Sequence, residues 1–233
     1  MEDNTYTIRY HFLFKNGKEN TFDVKIDSST MLNLLPQPEN KPFWTELDYH
    51  QCECCPLDKA QVSHCPIALN IMGLIEAFKN VMSSEKCQVS CITPERTYSK
   101  EVDIQNGLFS IFGIINATSS CPIMSFFKPM AKFHLPFSTI EETKVRVISF
   151  YLLSQYFKQE KSDTIDIQLE QLESFYSKVE LLDAGILNRI RGISDSDADK
   201  NAVIILNSIA QLISMEIDEQ LQSIEDIFKT SGF

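Results

Sequence analysis

Apolar residues occupy every second position from Tyr6 to Phe14, with mostly polar residues between them. Successive side chains of a strand point to opposite faces, so this period predicts a half-buried strand. Asn16-Gly17 follows, a pair that favours a tight two-residue turn. Phe22, Val24 and Ile26 then repeat the period, so the chain is expected to open with a hairpin. Beyond a loop holding Pro36, Pro38 and Pro42, the segment 43–50 reads as a third strand. An apolar helix is expected from about Ile67 to Met82, short strands at 87–92 and 96–104, and a second apolar helix from Leu108 to Ala117.

The pattern changes near residue 137. All seven cysteines and all nine prolines precede that point, and only three glycines follow it. Long uninterrupted helices require such a composition. Ser138 and Glu141 predict a capping box opening a helix that runs to Gln159. A second helix is expected from Asp166 to Arg191 with Gly192 as its stop, and a third is capped at Ser194 and Asp197. Its apolar stripe runs through Val203, Leu206, Ala210, Ile213, Ile217, Leu221, Ile224 and Phe228. That stripe can pack inside the protein or zip against a second copy. The expected fold class is α+β: a small antiparallel sheet with helices over 1–137, and an all-helical region over 138–233 packed against it.

Charge narrows the partners. The net charge is −11, and residues 137–233 hold 17 acids against 9 bases. Such a surface repels phosphate, which argues against nucleic acid and anionic membrane as partners. It leaves a protein partner, or a second copy met through the C-terminal helix. The start MEDNTYTIRY has neither the basic nor the apolar region of a secretory signal, and the apolar stretch 108–115 is too short to span a bilayer. A cytoplasmic location is expected, in which cysteines serve as thiols, metal ligands or transient redox groups.

Six of the seven cysteines fall between residues 52 and 91. Cys52 and Cys55 form a C-x-x-C pair, whose tight loop can offer two sulfurs to one ion. Cys55, Cys65 and Cys121 are each followed by proline and an aliphatic residue. Proline suits the first helical position, which places the preceding cysteine at a helix N-cap, where the dipole and free amides should lower its pKa. Cys52, Cys55, Cys65 and Cys121 together could hold zinc or an iron–sulfur cluster. Buried inert thiols, or a redox pair at Cys52 and Cys55 exchanging disulfides, are the alternatives. Cys54 is a spare ligand, and Cys87 and Cys91 alternate on a strand as core residues.

The chain resembles a bacterial protein family of unknown function. The shared pattern is His50, Gln51, Cys52, Cys55, Pro56 and Leu57, then Cys65-Pro66, Cys121-Pro122, Pro129-Met130-Ala131, Phe133-His134-Leu135-Pro136-Phe137 and Glu141-Glu142-Thr143. The resemblance implies no activity, but it singles out the same four cysteines. Outside them, His134 is a buried residue bonded to a backbone carbonyl, or else a metal ligand or acid–base group, and His50 and His64 are reserve ligands. Glu142 and Arg146 have the spacing of a helix-surface ion pair. No P-loop, dinucleotide fingerprint, H-E-x-x-H or G-x-S-x-G occurs. Two functions remain: a metal- or cluster-binding protein, and a non-catalytic interaction module with structural cysteines.

Overall fold

The computed structural model describes residues 4–36, 39–78, 81–159, 165–193, 197–219 and 221–229. β1 (Thr5–Phe14) and β2 (Glu19–Asp27) form the expected hairpin, with Tyr6 opposite Ile26 and Tyr10 opposite Phe22. The turn is longer than the Asn-Gly pair predicts. Gly17 donates its N–H to Phe14 O at 3.0 Å, and Phe14 donates to Lys18 O at 2.9 Å, so residues 15–17 form the loop. Gly17 takes a φ of +81°, which only glycine reaches without steric cost. β3 (Lys86–Ile92) pairs with the other edge of β1, and β4 (Thr97–Asp103) pairs with β3, giving a four-stranded antiparallel sheet of order β2-β1-β3-β4.

The strand expected over 43–50 does not join this sheet. Phe43–Thr45 is a single 3-10 turn, and turns follow to His50. Thr45 gives both its N–H (2.9 Å) and its hydroxyl (2.7 Å) to Pro42 O, which curls the chain before it can extend.

Tyr6, Ile8, Tyr10, Phe12 and Phe14 all face inward from β1. They are covered by α1 (Pro66–Phe78) and α2 (Ile104–Ala117), with the Phe12 and Phe78 rings 5.0 Å apart. Gly107 lets α2 settle on the sheet: a Cβ there would lie 2.7 Å from the Phe12 ring. A 3-10 helix (Pro122–Phe127) and the short α3 (Lys128–Lys132) then lead to four helices: α4 (Ile140–Gln159), α5 (Glu170–Arg191), α6 (Ala198–Asp218) and α7 (Gln222–Lys229).

The capping box of α4 sits one residue beyond Ser138 and Glu141. Thr139 N–H donates to the Glu142 carboxylate (2.8 Å), and Glu142 N–H donates to the Thr139 hydroxyl (3.1 Å). The expected Asp166 start of α5 becomes a cap instead, its carboxylate accepting the amides of Glu170 and Gln171. The α6 stripe is not continuous to Phe228. Leu221 takes a φ of +62°, and the Glu216 carboxylate accepts the Ser223 amide (3.1 Å) and hydroxyl (2.6 Å) at the start of α7. The expected cap at Ser194 lies outside the described residues. Asp197 stands at the N-cap of α6, but its carboxylate binds Ser83 N–H (2.8 Å) and Oγ (2.9 Å), tying α6 to the segment between α1 and β3.

Two apolar clusters result. One runs from the sheet through α1 and α2 to Leu182, Ile186 and Ile190 of α5 and Ala198, Ala202 and Val203 of α6. The other gathers Val147 and Tyr151 of α4, Leu172 and Val179 of α5, Ala210 and Ile213 of α6, and Ile224 of α7. The α6 stripe is therefore spent inside the protein, and α5 and α6 serve both clusters. Among the described residues no single helix is long and apolar enough to cross a membrane.

Candidate metal centre at the cysteine loop

The cysteine loop is closed at its base by short backbone bonds. Leu47 N–H donates to Ser63 O (2.9 Å) and Cys65 N–H to Thr45 O (2.7 Å). Within the loop, Cys55 N–H donates to Cys52 O (2.9 Å), which folds the C-x-x-C pair into a tight turn. Gln51 Nε2 braces it by donating to Leu57 O (3.0 Å), and Lys59 pins its outer side by ion pairing with Asp48.

The loop docks on α5. The Cys52 thiol faces Leu182 O at 3.7 Å, and Cys54 Sγ donates to Lys178 O at 3.2 Å. Gly185 makes this approach possible: a Cβ there would stand 2.7 Å from Cys52 Sγ and 3.1 Å from its Cα. Cys65 directly precedes Pro66, the first residue of α1, and Cys121 is the N-cap of the 3-10 helix that starts at Pro122. Cys55-Pro56 starts no helix and stays in the loop.

Cys52 feels the charges of Cys65, Cys54 and Cys55, Cys65 feels that of Cys55, and Cys121 feels those of Cys65 and Cys55. Among the described residues, no three His, Cys, Asp or Glu side chains stand close enough to hold a metal ion as placed. Arg189 lies beside the same sulfurs, favouring the ionised forms of Cys52 and Cys65. Its side chain is 1% exposed. It donates to the carbonyls of Trp44 (2.8 Å), Glu46 (2.6 Å) and Leu47 (2.7 Å), while its Nε has no partner. No carboxylate pairs with it among the described residues.

The lowered pKa expected at the cysteine N-caps is not found. Burial pushes Cys52 up to about 12 and Cys121 up to about 11, and it raises Cys65 as well. The amides of Ile67 and Ala68 at Cys65, and of Ile123 and Met124 at Cys121, pull the other way with less effect. Desolvation outweighs the helix end because Cys65 and Cys121 are buried, and Cys52, although partly exposed, loses much of its solvent as well.

The chain belongs to the family described as Domain of unknown function (DUF6901). The match runs over residues 8–229, so it takes in both the cysteine-bearing sheet region and the helices. No curated protein and no solved structure matches the chain.

Other expected residues take different places. All seven cysteines are free thiols. Cys91 and Cys87 face inward from β3, opposite Tyr10 and Phe14 of β1. His64 Nδ1 meets the Thr45 hydroxyl at 2.9 Å, and His50 stacks edge-on against Tyr49. The His134 ring is turned inward against the Tyr10 hydroxyl, although part of the residue reaches the surface, and burial pushes its pKa down to about 3. Arg146 makes no ion pair with Glu142. It turns inward and donates to Phe133 O at 2.8 Å, while Glu142 caps its own helix. Gly185 and Arg189 were not anticipated. A glycine in mid-helix and an arginine in register with Leu182 and Ile186 are the signals that mark them.

Proposed function

We propose that this protein holds a thiolate-bound metal centre, a zinc ion or an iron–sulfur cluster, among Cys52, Cys55, Cys65 and Cys121. The observation that carries the reading is Cys121. The other three cysteines share one loop and must be neighbours in any fold. Cys121 is remote in sequence, yet it is buried in the same apolar cluster as Cys65, and Cys52 and Cys55 pack against that cluster. The charge balance fits as well. Four thiolates around a divalent ion leave a net negative centre, and Arg189 is a buried cation that bonds three carbonyls and, among the described residues, no carboxylate. A four-cysteine zinc site is closed and would clamp the loop, α1, the 3-10 helix and α5 together. A cluster would add electron transfer.

The test is metal and sulfide analysis of protein purified without air, with Cys55→Ser and Cys121→Ser beside it. Near-stoichiometric zinc, or iron with sulfide and visible absorbance, lost in both variants, is the expected result. Absence of bound metal from the parent protein, or its retention in both variants, would overturn the reading.

An interaction module is the second reading, and one surface favours it. Leu153, Tyr156 and Phe157 of α4 are 50–64% exposed, with the Tyr156 and Phe157 rings 5.5 Å apart. If this patch joins two copies, Tyr156→Ser with Phe157→Ser should convert a dimer to a monomer in sedimentation and leave metal content unchanged. A monomeric parent protein would exclude self-association through this patch.

A further inference from the structure

A cavity of about 150 Å³ lies among α2, α3, α4, α5 and α6, away from the cysteine loop. Most of its wall is apolar, formed by residues such as Met124, Phe127, Val147 and Ile213. Two buried acceptors on the wall are unpartnered. Asp183 of α5 is 3% exposed and its Oδ2 accepts no hydrogen bond; Asn116 of α2 is 2% exposed and the same holds for its Oδ1. A buried polar atom without a partner is costly, and such atoms mark places where a ligand completes the bonding.

The charges around Asp183 define what fits. Burial raises the Asp183 carboxyl well above its ordinary range, and Glu180, one turn earlier on α5, raises it further, so the group is a neutral acid until an amine takes its proton and forms the ion pair. Arg146 lines the cavity from α4, but its Nη2 is committed to Phe133 O and it exerts no resolved pull on Asp183. Tyr176 lines the same cavity. His134 also lines the cavity and is held neutral by burial. Among the described residues, no protein cation pairs with Asp183, and its Oδ2 has no hydrogen-bond partner. We propose that this cavity binds a small primary amine, an apolar body of about benzene size whose ammonium group pairs with the Asp183 carboxylate. A cavity of this volume accommodates one such ring, and Asn116 Oδ1 offers a second acceptor on the α2 wall.

Benzylamine is the probe, with benzyl alcohol as a matched molecule that lacks the charge. Calorimetry on the full chain should show benzylamine binding at least tenfold more tightly than benzyl alcohol. Asp183→Asn removes the anchoring charge at nearly constant side-chain size, and it should weaken benzylamine tenfold or more while leaving benzyl alcohol unchanged. Gly113 lines the same cavity, and a Cβ built there meets no atom within 4 Å. Gly113→Leu should fill the space and abolish binding of both molecules. Equal affinity for the two probes, benzylamine binding undiminished in Asp183→Asn, or no binding of benzylamine to the parent protein would each overturn the proposal.

Discussion

Two glycines in helices illustrate how one residue type carries opposite constraints. Gly185 faces Cys52 with no room for a Cβ, whereas a Cβ at Gly113 meets nothing within 4 Å. Alanine gains about 1 kcal/mol over glycine in helix propensity. Gly113→Ala should therefore raise stability by up to about 1 kcal/mol. Gly185→Ala should lower it by about 1–3 kcal/mol, because the cysteine loop must be pushed off α5. Urea denaturation of the two variants checks the sign of each. Asp199 gives a pH-dependent case. Its carboxyl is fully buried in the first turn of α6, both oxygens lack partners, and burial raises its pKa from 3.8 to about 7. A raised acid binds more protons folded than unfolded, so its stabilising contribution is complete below 3.8 and is lost as the pH rises through about 7. Asp199→Asn should remove that decline and leave the protein more stable above neutrality, on the order of a few kcal/mol, measured by thermal unfolding across pH. The four cysteines of the candidate site were legible because their motifs are local. Arg189 and Asp183 were legible only as a pattern: they lie on the face of α5 that buries Leu182, Ile186 and Ile190. A charge on an apolar stripe can snorkel or turn inward, and only the packing around it decides which.

At the scale of elements, the hairpin, β3, β4 and the main helices follow from period and composition, since each buries one well-defined face. The failures come where hydrogen bonds outside the period decide the outcome. Residues 43–50 have strand-like apolar content, yet Thr45 turns back onto Pro42. Both Ser138-x-x-Glu141 and Thr139-x-x-Glu142 satisfy the capping-box pattern, and the structure uses the second. The stripe beyond Asp218 has helical spacing, yet a buried carboxylate opens a new helix there. Glu216 has a side chain 1% exposed, ion-paired with Lys144 of α4 and bonded to Ser223 of α7. Burial alone would raise its pKa, but Lys144 and Ser223 together hold it below the ordinary range. Lys144→Met would leave that carboxylate buried without a cation and should cost about 3 kcal/mol in urea denaturation. Glu216→Gln with Lys144→Met should recover much of the loss. Because Glu216 is depressed, its contribution is present above the unfolded carboxylate pKa and is lost as acid protonates it in the folded state. The single Lys144 variant should therefore show a weaker acid dependence than the parent protein.

At the scale of the whole molecule, the sheet region and the helices are joined through α5 and α6, which contribute to both apolar clusters. The candidate cysteine site lies across that junction. Its loop rests on α5, while Cys65 and Cys121 come from turns that flank the sheet-covering helices. A metal held there would link separate stretches of chain, and its binding free energy would add to folding. The thiols set a sharp condition on that binding. Burial pushes Cys52 to about 12 and Cys121 to about 11, with Cys65 also raised, so these groups are protonated near neutrality in the metal-free protein. Each sulfur that becomes a ligand must release its proton, and metal affinity should rise with pH throughout the range below those values. For a four-thiolate zinc site, the logarithm of the affinity should gain about four per pH unit around neutrality, with about four protons released per ion bound. Competition against a zinc chelator at several pH values gives the slope, and proton release into a weak buffer gives the count. Cys121→Ser should lower both by about one. A slope near two, unchanged by that substitution, would mean that Cys121 stays outside the centre and that the C-x-x-C pair alone meets the ion.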